Sequence, residues 1–170
     1  MCRLKQARIF CTSSASKHTR LKQLGADFCF AYSEKFQQTF DVVFDSIGGD
    51  SFRKSYALLA PFGRLCIYGA SSFISSSKQN LIAALVNLLR FPIFFPLSVI
   101  NSSRSICGFG VLGISTENSK LQGALRDVTR IWAEGNVHPI IDKSFPLAKI
   151  AEAQTYLEER RNFGKVILIV

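Results

Sequence analysis

The stretch from Asp41 to Gly69 constrains the fold most: D-V-V-F-D-S-I-G-G-D-S-F-R-K-S-Y-A-L-L-A-P-F-G-R-L-C-I-Y-G. Val42, Val43 and Phe44 form a short apolar run of β-favouring residues, which predicts a strand covered on both faces. Gly48 and Gly49 interrupt it, and Phe52, Tyr56 and Leu59 then recur at helical spacing. Pro61 and Gly63 are expected to end that helix, and Leu65 to Tyr68 to form a second buried strand closed by Gly69. Strand, helix and strand of these lengths predict a right-handed, parallel βαβ unit. Open parallel sheets bind ligands beyond the carboxyl ends of their strands. Those ends are Asp45-Ser46-Ile47-Gly48 and Gly69-Ala70-Ser71, where function is sought first.

The flanking sequence extends this pattern. Arg8 to Thr12 and Ala26 to Tyr32 read as strands, with a helix from Ser16 to Leu24 between them. Only Ser33 to Phe40 separates the second of these from Asp41, which is short for a parallel crossover and predicts one helical turn or an irregular loop. Ser71 to Ser77 reads as a loop and Ser105 to Leu112 as a strand. Leu121, Leu125, Val128 and Trp132 mark an amphipathic helix stopped by Gly135. His138 to Ile141 reads as extended, Ile150 to Arg161 as a helix, and Lys165 to Val170 as a final buried strand.

Leu81 to Ile100 is long and apolar enough to raise the question of a membrane span. Arg90 near its middle would cost about 2.5–3.5 kcal/mol on insertion, and Pro92 and Pro96 break its second half. The better reading is a helix from Leu81 to Leu89 and then an apolar segment around Phe91 to Phe95. That segment suits a pocket wall, a subunit contact or a membrane surface.

The 170 residues suffice for one domain, and 48% hydrophobic against 19% charged residues is a globular composition. A net charge of +9 suits an anionic partner, or basic residues on solvated faces. Lysines and arginines form no long run and do not alternate with aromatics, which argues against nucleic-acid binding. Five scattered cysteines and two histidines show no metal-ligand spacing, so no metal site is expected and a reducing, cytoplasmic setting fits best.

Read in order, these segments resemble the C-terminal half of the medium-chain dehydrogenase/reductase superfamily. The likeness lies in its quinone oxidoreductase branch, near the vesicle-amine-transport-protein-like reductases. It is carried by Ser13 to His18, Leu24-Gly25-Ala26-Asp27, Asp41 to Gly49, Leu58 to Leu65, Tyr68 to Ser71, Ile140-Ile141-Asp142, Phe145-Pro146-Leu147, Ala151-Glu152-Ala153 and Gly164-Lys165-Val166. The resemblance implies an α/β fold, a Rossmann-like and mostly parallel sheet with flanking helices. It implies an NADP(H)-binding domain over 1–138 and a segment over 139–170 that returns to a separate catalytic domain.

It also assigns the site. Ser13, Ser14 and Lys17 would meet the adenosine 2′-phosphate. Two hydroxyls and a cation suit a phosphate, where an NAD site would carry an acidic residue. The same residues also fit a serine N-cap and a solvated lysine. Tyr32 would lie against the adenosine phosphate or the adenine, and Ser46 and Ile47 would flank the adenine and its ribose. Gly69, Ala70 and Ser71 would pass the nicotinamide ribose, where only small residues leave room. Phe109 and Gly110 would meet the carboxamide, on a strand (105–112) that pairs with its copy in a homodimer. Each of these also fits an ordinary strand end, turn or glycine bulge.

Two departures from the family are expected. Its first strand and Gly-rich pyrophosphate loop should lie just before Met1, leaving no G-x-G-x-x-G and exposing edges at Ile9–Thr12 and Asp41–Asp45. The Ser33–Phe40 connection should have lost most of a crossover helix. The function implied is the NADP(H)-binding part of a zinc-independent reductase that passes hydride to a quinone or enone. The alternatives are a non-catalytic nucleotide-binding or interaction module and a degenerate gene fragment.

Overall fold

A computed structural model of the chain describes residues 2–69, 95–110, 113–114 and 116–170. Ala70 and Ser71, the Leu81–Leu89 helix and the Phe91–Phe94 segment lie outside them. The chain divides into two compact units, Met1–Glu34 with Glu117–Val170, and Lys35–Thr116. Among the described residues every strand pairing is parallel, and helices accompany the strands, so the fold is the expected Rossmann-like α/β type.

The second unit holds the βαβ element. Strand β3 (Phe40–Asp45), helix α2 (Asp50–Ala57) and strand β4 (Leu59–Ile67) follow one another, and β5 (Ser105–Gly108) pairs with the far side of β4. Among the described residues, Phe52 from α2 and Leu59 and Leu65 from β4 are its largest fully buried side chains. Burying an aliphatic or aromatic side chain contributes about 1.5–3 kcal/mol, so these three anchor the helix on the sheet.

Three expectations need correction here. Helix α2 ends at Ala57, and Leu59, read as helical, opens β4. Pro61 and Gly63 do not end the helix; they lie inside β4, within a break in register between Phe40↔Leu59 and Val42↔Arg64. The break accommodates them. Phe62 takes a left-handed φ of 62° and donates its N–H to the Ser103 carbonyl, and a Cβ on Gly63 would stand 2.8 Å from the Ala60 oxygen. Strand β3 is not covered on both faces, because Val42 is 48% and Phe44 61% exposed.

The remainder of the second unit is short. Helix α3 (Pro96–Ser102) takes up the end of the apolar stretch. The Tyr56 hydroxyl meets Ser102 Oγ at 2.7 Å, and Arg104 donates to the Tyr56 carbonyl, so the end of α2 is tied to the end of α3. No described helix is long and apolar enough to cross a membrane.

The first unit pairs β1 (Phe10–Thr12) with β2 (Phe28–Phe30) around helix α1 (His18–Gln23). A short 3-10 turn, Ala15–Lys17, precedes α1. Both strands are three residues long, shorter than expected, and Phe10 stacks on Phe28 at 4.7 Å. Helix α4 (Ser119–Ala133) starts two residues before its first apolar position, because Asn118 caps it through the N–H groups of Lys120 and Leu121. Strand β6 (Ile141–Pro146), helix α5 (Ile150–Glu158) and β7 (Lys165–Ile169) form a second βαβ unit around Phe145 and Ala153. His138 to Ile140 precede β6 and are not part of it. Residues 31–39 between β2 and β3 contain no helix, which is the irregular-loop form of the short connection.

Candidate functional site

The strand ends of the second unit form one rim. Parallel pairing in register aligns Asp45, Ile67 and Gly108 as the last residues of β3, β4 and β5. Two further hydrogen bonds extend it: Tyr68 N–H to the Asp45 carbonyl, and Phe109 N–H to the Ile67 carbonyl. Strand β5 stops at Gly108, so Phe109 and Gly110, expected within it, lie just past its end. Phe109 is 58% exposed and Gly110 faces open space. Both remain on the rim.

Asp45 shapes the turn on which Ser46 and Ile47 sit. It is buried, and its carboxylate accepts hydrogen bonds from Ile47 N–H (2.8 Å), Gly48 N–H (3.3 Å), Ser51 Oγ (2.7 Å) and Ser55 Oγ (2.7 Å). A buried carboxylate is stable only when so satisfied. Two bonds fix the strand-to-helix turn and two fix the first turns of α2. Ile47 is consequently displayed outward at 43% exposure. The sequence reading passed over this role of Asp45, although D-S-I-G-G-D-S carries its signal. An aspartate closing a strand, two glycines, and serines six and ten residues on place both hydroxyls on one helix face.

Gly69 completes the rim. A Cβ there would stand 2.9 Å from the Ser46 carbonyl oxygen, closer than side chains approach. The small residue is thus required by contact between two strand-end turns. Ser46, Ile47, Gly69, Phe109 and Gly110 come together on this unit, whereas Ala70 and Ser71 fall outside the described residues. Below the rim, Phe44, Cys66, Tyr68, Cys107 and Phe109 line an apolar hollow of about 450 Å³.

The strand ends of the first unit carry the other expected residues. Ser13 N–H continues the β1–β2 ladder to the Phe30 carbonyl. Its hydroxyl is buried and donates to the Ser14 carbonyl, so Ser14 is the serine whose side chain faces outward, 3.3 Å from Ser16 Oγ. Tyr32 is 69% exposed just beyond β2. Lys17 is engaged: its ammonium donates to the carbonyls of Asn162 (2.8 Å) and Arg160 (3.2 Å), past the end of α5. Two of its three donors are thereby used.

Arg20, one turn further along α1, lies 4.3 Å from the centre of the Phe163 ring and 3.5 Å from the Asp142 carboxylate. The Tyr156 hydroxyl donates to the same carboxylate at 2.8 Å. That bond, with the Phe163 N–H and Arg20, holds Asp142 below the usual carboxylate range and in turn raises Tyr156. Nothing in the local sequence pointed to this network, which joins positions more than a hundred residues apart.

One G-x-G-x-x-G spacing does occur, at Gly108 to Gly113, where none was expected. It follows a strand, but α4 begins only at Ser119, so it lacks the direct opening into a helix that a pyrophosphate loop uses. Among the described residues no three His, Cys, Asp or Glu side chains gather as a metal site, and no zinc ligation is assigned to them.

Open parallel α/β sheets bind their ligands beyond the carboxyl ends of the strands, and these small, turn-forming strand ends lie at that place. The chain matches the zinc-binding dehydrogenase family over residues 24–168, and it belongs to that family, within the medium-chain dehydrogenase/reductase superfamily. It is 32% identical to the zebrafish (Danio rerio) synaptic vesicle membrane protein VAT-1 homolog, over 94% of this chain and 35% of that protein. The human homolog is 28% identical over 99% of this chain and 46% of its own length. The chain therefore spans less than half the length of these relatives. Among solved structures, an NAD-dependent alcohol dehydrogenase is 28% identical at a TM-score of 0.71, with 99% of this chain and 45% of that one covered. A mycobacterial quinone oxidoreductase and a mycobacterial protein complexed with NADPH share the fold, with TM-scores of 0.73 and 0.71. Each is 20% identical, covering 99% and 96% of this chain and 51% and 49% of theirs.

Proposed function

We propose that this chain is the NADP(H)-binding part of a zinc-independent, cytoplasmic oxidoreductase that transfers hydride to a quinone or activated alkene. The observation that carries the reading is the rim at the carboxyl ends of β3, β4 and β5, where Gly69 packs against Ser46 and leaves Ile47 and Phe109 outward. Such a rim is where this class of sheet receives a dinucleotide. Ser46 and Ile47 would hold the adenosine. Gly69, Ala70 and Ser71 would pass the nicotinamide ribose, and Phe109 and Gly110 would meet the carboxamide. Ser14 and Tyr32 would hold the 2′-phosphate end, with Lys17 offering its remaining N–H and Ser13, its hydroxyl turned to the Ser14 carbonyl, bracing the turn.

The preference for NADPH over NADH rests on Thr12-Ser13-Ser14 at the end of β1, where an NAD site would place a carboxylate. Hydride chemistry would come from the bound nicotinamide, while the protein orients it and shields it from water. The quinone or enone substrate follows from the quinone oxidoreductase resemblance, as does a homodimer through residues 105–112. Contact of residues 81–100 with a membrane surface belongs to the same reading, and nucleic acid does not.

The test is a fluorescence titration of the purified chain with NADPH and with NADH, followed by NADPH consumption in the presence of a simple quinone. Saturable binding tighter for NADPH supports the cofactor reading. Binding without consumption leaves a nucleotide-binding module, and no saturable binding of either nucleotide removes both.

A further inference from the structure

We infer that Cys66 and Cys107 are a dithiol modification site, closed to a cross-strand disulfide by hydrogen peroxide. The two residues face each other in register on the parallel strands β4 and β5, between Leu65↔Ile106 and Ile67↔Gly108. Neighbouring strands run about 4.7–4.9 Å apart, within the roughly 4.4–6.8 Å over which disulfides join two α-carbons. Both side chains lie on the same face, because both line the apolar hollow of about 450 Å³ with Phe44, Tyr68 and Phe109. The sequence alone hides the pair, since forty-one positions separate its members.

Access differs between the two thiols. Cys107 is exposed and Cys66 half-buried. Burial and the adjacent Cys107 push the Cys66 thiol up, which disfavours its thiolate. Cys107 therefore meets the oxidant first: its sulfur takes one oxygen from peroxide, forming a sulfenic acid and releasing water. Cys66 sulfur then attacks Cys107 sulfur, the S–O bond breaks, and the oxygen leaves as a second water with the Cys66 proton. Two thiols and one hydrogen peroxide give one disulfide and two waters.

A second registered pair, Cys11 and Cys29 on β1 and β2, provides an internal comparison. There both thiols are half-buried and Cys29 Sγ already donates to the His18 carbonyl, so this pair reacts later. The Cys66–Cys107 bridge would lock β4 to β5 one residue below the rim. Its chemistry is independent of whether a nucleotide binds there.

The full chain is treated with equimolar hydrogen peroxide, alkylated with iodoacetamide, digested with trypsin and mapped by mass. The expected result is peptide 65–78 joined to peptide 105–120, short of two hydrogens, released by dithiothreitol, and formed before any bridge between 9–17 and 23–35. Prior unfolding in guanidinium should abolish that preference. In Cys66→Ser, Cys107 should stop as a sulfenic acid that dimedone traps. Should that variant fail to fold, the wild-type map decides alone. Full alkylation of Cys66 and Cys107 after peroxide, overoxidation of Cys107 without a bridge, or bridges scattered as in the unfolded chain would overturn the inference.

Discussion

Gly69 lies so near Ser46 that a single added methyl would stand 2.9 Å from the Ser46 carbonyl oxygen. The chain just past β4 and the turn after β3 are thereby brought into close backbone contact. This contact sets the height of the rim on which Ile47 is displayed.

Gly69→Ala should therefore destabilise the chain by about 1–3 kcal/mol, the usual cost of forcing extra volume into a closed contact. Gly110→Ala, where nothing lies within 4 Å, is the matched comparison and should cost well under half as much. Urea unfolding midpoints of the two variants test the difference. Equal midpoints would show that the Ser46 contact is readily relieved.

Asp45→Ala should cost about 2–3 kcal/mol, because it strips the acceptor from two backbone N–H groups and two serine hydroxyls in a buried turn. Ser55→Ala alone should cost less, and it should cost nothing further once Asp45 is gone. A double-mutant cycle reads this coupling directly. Additive losses would mean that Ser55 acts elsewhere.

Lys17 distinguishes cofactor binding from packing. If its free N–H reaches the 2′-phosphate, Lys17→Ala should weaken NADPH about tenfold and leave NADH unchanged, the size of one charge-assisted hydrogen bond. If the lysine serves only the Arg160 and Asn162 carbonyls, the variant should lower the unfolding midpoint and affect both nucleotides alike. Paired titrations and a melt separate the two.

The Asp142–Tyr156 pair predicts a two-sided pH dependence. Asp142 is held low, chiefly by the Tyr156 hydroxyl. Its contribution is therefore present above the ordinary carboxylate value of about 4 and is lost as pH falls through the lower folded value. Tyr156 is held high, chiefly by the same bond, so its contribution is present below about 10 and fades as pH rises through the higher folded value. Tyr156→Phe should flatten both limbs of unfolding midpoint against pH. An unchanged acid limb would show that the Phe163 N–H and Arg20 hold Asp142 unaided.

How far the fold could be read varied with the range of the forces involved. The βαβ unit of β3, α2 and β4 was legible because apolar runs and helical spacing are local signals. The role of Pro61 and Gly63 was misread: both residue types end helices, and both also fit a strand irregularity, where proline needs no N–H partner and glycine tolerates close backbone. Helix α4 was placed late because its apolar stripe begins at Leu121, whereas its cap is Asn118. The stripe itself stays open, with Leu125, Val128 and Trp132 all more than half exposed. Topology pointed to the strand ends, and the family resemblance assigned residues to them. The direction of the Ser13 hydroxyl, the partners of Lys17 and the register of Cys66 with Cys107 depend on residues distant in sequence, and periodicity carries no trace of them.

The proposed function requires the strand-end turns of this chain to receive a nicotinamide dinucleotide. Amide hydrogen exchange, with and without saturating NADPH, tests it most directly, because it reports which backbone groups the ligand shields. Bound NADPH should slow exchange at 12–17, 45–49, 67–69 and 108–110 and leave 119–133 unaffected. Binding that leaves these segments unchanged and instead protects 143–161 would contradict it.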